Sequence, residues 1–137
     1  AEEMLLAVLL EHPELALGCQ EIVEEVGFVH QARRQIFDCI LAHDGEQTVE
    51  VHRLMEILED EASSVLAGIL SKNVPDGDCA KIIDDCLRQM KKGFLEKEYE
   101  KHRLLADEFE RSGDERFLSE LMESQRIKNE IKELYGS

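Results

Sequence analysis

The sequence predicts an all-α protein: a helical bundle of five to six helices, then a C-terminal helical hairpin on a long connecting helix. Three observations carry this. Two Pro and eight Gly interrupt a chain rich in Leu, Ile, Glu and Lys, a composition that favours helices. Apolar residues recur at steps of three and four along most of its length. No Pro follows Pro75, so one helical pattern runs unbroken from about Cys79 to Arg111.

The first segment, EEMLLAVLLEHP, is apolar around most of the helix circumference from Met4 to Leu10 and stops ahead of Pro13. A helix without a polar face is expected at the centre of a bundle. ELALGCQEIVEEV places Leu15, Cys19, Ile22 and Val23 or Val26 on one stripe, predicting a second helix, short or bent at Gly18 and ended by Gly27. HQARRQIFDCILAHDG sets Ala32, Ile36, Phe37, Ile40 and Leu41 on one face and closes at Asp44-Gly45. Thr48 is a candidate N-cap for VEVHRLMEILED, with Val51, Leu54, Met55 and Leu58 in helical register. A short connection over Glu59 to Glu61 then leads to ASSVLAGILSK, whose Ala62, Val65, Leu66 and Ile69 repeat the pattern. Asn73 to Asp78, with Pro75 and Gly77, is the strongest break in this half.

The long helix changes character partway. Up to Leu95 it is richly apolar; from Glu96 its stripe thins to Tyr99, His102, Leu105, Ala106 and Phe109. A helix of some 30 residues spans about 45 Å, more than a small bundle is wide, so its second half is expected to extend past the bundle. The division is therefore placed between residues 1–95 and 96–137. At its end Ser-Gly-Asp turns the chain, with Gly113 a left-handed C′ residue and Asp114 an N-cap. The final helix carries Phe117, Leu121, Ile127, Ile131 and Leu134, with Ser124 breaking the row, and two facing stripes make an αα-hairpin.

The net charge of −15 divides as −11 in residues 1–95 and −4 in 96–137. A surface this acidic repels phosphate backbones and anionic headgroups, so strong direct nucleic-acid binding is not expected. No membrane span is expected either, because no run of 18 or more apolar residues occurs. Cys19, Cys39, Cys79 and Cys86 form no Cys-x-x-Cys and occupy apolar periodic positions, the pattern of reduced core thiols in a cytoplasmic protein. Cys79 and Cys86 would lie about 10 Å apart along one helix, too far to bridge. A chain that begins at Ala1, with acidic residues next, carries no signal-peptide pattern and is expected to be a piece or processed form of a longer protein.

No reaction centre is visible. His12, His30, His43, His52 and His102 are dispersed at helix ends or among charged residues, and no zinc, calcium, di-iron, nucleophile-elbow or phosphate-loop motif occurs. The expectation is no metal, no cofactor and no catalytic residue. Arg33-Arg34 and Lys91-Lys92 are too small for a nucleic-acid track and read as solvated helix faces. An interaction module is the remaining class.

Its surface is expected on the hairpin. Phe109, Phe117, Leu118, Met122 and Tyr135 stay partly accessible unless covered, although Phe109 and Phe117 equally suit closure of the hairpin itself. Leu118 and Met122 lie one step off the main stripe at i and i+4, the arrangement by which a helix offers anchors to a groove. The candidate partner-binding set is Phe109, Arg111, Arg116, Phe117, Leu118, Leu121, Met122, Gln125 and Tyr135. Dimerisation through the same surface is the competing use.

The order of features resembles the C-terminal helicase-interaction domain of bacterial, DnaG-type DNA primases. AEEMLLAVLLEHPELA resembles its Leu-rich opening helix, RRQIFDCILAHDG its third helix, and GDERFLSELMESQRIKNEIKELYG its last. The resemblance implies a bundle followed by a hairpin that docks on the N-terminal region of the hexameric replicative helicase, coupling primer synthesis to fork unwinding in the primosome. It further implies that this chain is non-catalytic while its parent is a nucleotidyltransferase. A contact with a single-stranded-DNA-binding protein is left open. The alternative is the N-terminal domain of the helicase itself, which has a related fold and mediates self-association and primase binding.

Overall fold

The structure is a computed structural model describing residues 1–42 and 51–136. Among these residues it is all-α, with seven α-helices and no strand: α1 (Glu2–Glu11), α2 (Gln20–Val26), α3 (Gln31–Ala42), α4 (Val51–Ile57), α5 (Asp60–Leu70), α6 (Cys79–Ser112) and α7 (Arg116–Tyr135). The expected stop at Asp44-Gly45, the Thr48 cap and His43 lie outside the described residues, as do the side chains of Val51 and His52.

The chain divides into two compact units, Ala1–Met90 and Lys91–Ser137, with the boundary inside α6. Sequence composition places the division after Leu95. Leu95 is buried, yet it lies outside the core cluster of the first unit, which ends at Met90.

The first unit is organised around α1. Leu5 through Leu10 are all buried, and α1 packs on both α3 and α5. Full burial of a Leu or Val side chain contributes roughly 1.5–3 kcal/mol, so this run dominates the core. Ile36, Phe37 and Ile40 of α3, Leu54 of α4, Leu66 and Ile69 of α5, and Ile83, Cys86, Leu87 and Met90 of α6 join the same cluster. Phe28 extends it, its ring 5.7 Å from that of Phe37.

Two expectations change here. The single second helix is instead two 3₁₀ turns, Pro13–Leu15 and Leu17–Cys19, and then α2. Pro13 lacks an N–H and starts the first turn, Gly18 sits in the second, and the tighter winding leaves Leu17 exposed while Cys19 and Val23 reach the core. Gly27 does end α2, at φ 69°, a left-handed conformation a side chain would resist. Secondly, Asp60 and Glu61 are not a connection but the first turn of α5, where carboxylates favour the positive end of the helix dipole. The Ser63 hydroxyl donates to the carbonyl of Met55 at 3.3 Å and holds the turn at Leu58 and Glu59.

Arg33 and Arg34 also depart from the expectation of a merely solvated face. Arg33 donates to Glu2 at 2.6 Å and Glu3 at 2.9 Å, tying α3 to the start of α1. The backbone N–H of Val29 donates to the same Glu2 carboxylate at 3.0 Å. Lys72, 3.2 Å from Glu3, joins the network from beyond α5. Hydrogen bonding to Lys72 is the largest cause of a Glu3 carboxyl held below its usual range. Arg34 pairs with Glu24 and Asp38.

Candidate protein-interaction surface

The second unit is the end of α6 with α7. Lys92 Nζ lies 5.9 Å from the centre of the Tyr135 ring, His102 meets Glu120, and the Arg116 guanidinium lies 4.4 Å over the Phe109 ring. Positions on α7 fall as those on α6 rise, so the two helices are antiparallel neighbours.

Their connection is a Schellman-type stop. Asp114 N–H donates to the Phe109 carbonyl at 2.8 Å and Gly113 N–H to that of Glu110 at 3.3 Å, with Gly113 at φ 70°. The Asp114 carboxylate then accepts the backbone N–H of Arg116 at 2.9 Å and its guanidinium at 2.7 Å. These bonds, the guanidinium first, bring the Asp114 carboxyl down to about 2. Glu115 occupies the residue before α7 and makes no side-chain cap bond; Asp114 does the capping two residues away, as an Asx turn does. Arg116 is thus held on one side by Asp114 and on the other by the face of Phe109.

The buried row of α7 differs from the expected stripe. Ser124 does not break it: both Ser124 and Ile127 are only 2% exposed. Phe117, Glu120, Ile131 and Tyr135 continue the row as half-buried positions. Leu121 and Leu134 are off it, at 38% and 44% exposure. The Ser124 hydroxyl donates to the Leu121 carbonyl at 2.8 Å, so a polar side chain enters the interface without an unmet hydrogen bond. On α6, Leu95 and Ala106 are buried, and Tyr99, Leu105 and Phe109 are half-buried.

The opposite side of α7 carries Leu118 at 62% and Met122 at 72% exposure. Ser119, Gln125 and Asn129 are also exposed, while Asp114 and Glu115 lie one turn before Leu118 and Arg126 one turn after Met122. Arg126 pairs along the helix with Glu123 and Glu130. The structure brings Leu118, Leu121, Met122 and Gln125 onto this accessible side. Arg116 and Phe109 lie at the tip. Arg111 is exposed and bonds the Asp107 carbonyl, and Tyr135 sits at the far end of α7 beside Lys92. Leu104 of α6, 54% exposed, was missed: it lies between the stripe positions of a thinning pattern, and only its apolar character marks it.

His102 is not the dispersed, solvated residue the sequence suggests. It lies between Glu120 of α7 and Glu98 one turn back on α6. The cysteines are free, and burial, their foremost cause, raises the thiols of Cys19, Cys39 and Cys86, that of Cys19 to about 11. Such thiols are poor nucleophiles. Among the described residues no group of three or more His, Cys, Asp or Glu could hold a metal, and no helix is long and apolar enough to cross a membrane.

Comparison with protein-family models, curated proteins and solved structures finds no match to this chain.

Proposed function

We propose that this chain is a protein-interaction domain in which α7 and the tip beside it dock on a protein partner. The observation that carries the reading is the exposure of the large apolar side chains Leu118 and Met122, at i and i+4 on the outward side of α7. The resemblance to the helicase-interaction domain of DnaG-type primases supplies the partner: the N-terminal region of the hexameric replicative helicase. Leu118 and Met122 are the anchors, Leu121 and Gln125 border them, and Arg116 with Phe109 forms the rim at the tip. Arg111 and Tyr135 lie farther along and contribute less. In this reading the chain performs no chemistry and acts in the cytoplasm, and primer synthesis belongs to other regions of its parent.

Calorimetric titration of the full chain into the replicative helicase of the same organism tests this, with the double variant Leu118→Ser/Met122→Ser alongside. Binding that weakens at least ten-fold in the variant, with helicity unchanged, is expected; truncating hot-spot anchors commonly costs about 2 kcal/mol or more. Equal binding by both proteins would remove the anchors from the reading. Absence of binding with self-association of the chain would favour the helicase N-terminal domain instead.

A further inference from the structure

The outward side of α7 carries an order of charge that its own reversed image fits. Leu118 and Met122, both well exposed, are centred on Glu120. Glu115 precedes them and Arg126 follows, and the midpoint of that pair falls half a residue beyond Glu120. Glu115, Ser119, Met122 and Arg126 stand at steps of four, three and four, so they share one border of the apolar pair. Among the described residues the exposed Glu115 carboxylate makes no cap bond and meets no cation. Arg126 pairs with Glu123 and Glu130 along its own helix, yet it stays 62% exposed, and a guanidinium with five donors has room for a further carboxylate. Residues 116–135 hold four acidic and four basic side chains, so α7 itself is neutral in a chain of net charge −15.

We infer that this face takes a second copy of the chain, α7 against α7, in an antiparallel and two-fold-symmetric contact. Turning a copy end for end about Glu120 sets Leu118 of one chain against Met122 of the other. The same register brings Glu115 of one chain to Arg126 of the other, on the border they share, and the symmetry makes each contact twice. A parallel arrangement would instead set Glu115 against Glu115 and Arg126 against Arg126, and like charges at such border positions select against it. A contact through one helix face is small for a specific interface, under about 1,200 Å² in total, so the pair is weak and reversible. The inference rests on the reading of α7 as the interaction helix and adds its regulation: paired copies cover the anchors, and docking draws on the unpaired chain.

Sedimentation equilibrium of the full chain alone, from about 10 µM to about 1 mM, tests the pairing. Salt near about 0.15 M confines the repulsion between two acidic chains to about 8 Å. A monomer-dimer equilibrium is expected. Glu115→Arg and Arg126→Glu should each weaken it at least roughly three-fold, since either reversal sets like charges together at both ends of the contact. An equimolar mixture of the two reversed chains should recover the wild-type constant, because opposite charges then meet again. Leu118→Ser/Met122→Ser should stay monomeric. A wild type that is monomeric throughout this range would overturn the inference and leave the face to a different protein. A dimer that both reversals leave unchanged, or reversals without recovery in the mixture, would overturn it equally. Should a reversed chain lose helicity, Leu118→Ser/Met122→Ser decides, and its pairing like the wild type would contradict the contact. Helicase binding is a separate titration, so loss of docking and loss of self-pairing are distinct results.

Discussion

Ser124 and Leu121 exchange the roles their side chains suggest: the serine is buried, its hydroxyl bonded to the leucine's carbonyl at 2.8 Å, while the leucine side chain turns outward. The helix pair therefore closes on Ser124 and Ile127. Ile127→Ala is expected to destabilise the second unit by about 2–4 kcal/mol, and Leu121→Ala by less than about 1 kcal/mol. Ser124→Ala should cost less than about 1 kcal/mol, because the hydroxyl bonds a carbonyl in the same turn of its own helix. Both tyrosines, Tyr99 and Tyr135, lie in the second unit, so urea midpoints from tyrosine near-ultraviolet circular dichroism check this order, and a Leu121→Ala effect equal to that of Ile127→Ala would show the faces to be misassigned.

Leu118→Ser and Met122→Ser, on the exposed side, should each change stability by no more than about 0.5 kcal/mol. Far-ultraviolet circular dichroism and thermal unfolding of the two variants measure it. A large loss would mean that these side chains are packed in solution.

This ordering marks where the sequence was legible and where it was not. The helical class, the central α1 and the stop at Gly113 follow from local chemistry: an all-round apolar run, and a glycine where only a left-handed residue fits. The face of α7 did not follow as well. The large apolar residues Leu121 and Leu134 mark its stripe in the sequence, whereas the observed row runs through the small Ser124 and the half-buried Glu120, which meets His102 of α6. Arg33 was misread for a related reason. Its partners Glu2 and Glu3 are remote in sequence, and a two-residue basic cluster does not advertise them.

The Arg33 network should matter to the first unit. Arg33→Met is expected to destabilise it by about 1–2 kcal/mol, since the partly buried Glu2 carboxylate loses its guanidinium partner and keeps only the Val29 N–H. Screening keeps the figure at the lower end for the more exposed Glu3 contact. A denaturant titration read by phenylalanine and far-ultraviolet signals would contradict this if the variant matched the wild type.

Asp114 gives a pH prediction of definite sign. Its carboxyl is held at about 2 against an ordinary 3.8, so the stability it confers on the start of α7 is complete above about pH 4 and is lost as pH falls through about 2. Asp114→Asn should lower the tyrosine-detected midpoint at neutral pH and converge with the wild type in strong acid. Curves that stay equally far apart down to pH 2 would mean that the charge plays no part.

Cys19, with its thiol pushed up to about 11 by burial, should resist iodoacetamide at pH 8 in the folded chain and react once urea unfolds the first unit. Mass spectrometry of the alkylated peptides distinguishes it from half-buried Cys39 and Cys79. Rapid labelling of Cys19 in the native protein would contradict its place in the core.

Docking through α7 is tested most directly by amide hydrogen exchange of the full chain with and without the replicative helicase of the same organism. Binding at the proposed surface predicts new protection over residues 116–126 and the tip at 109–115, with the first unit's α1 and α3 unchanged. Protection confined to the first unit, or none at saturating helicase, would contradict it.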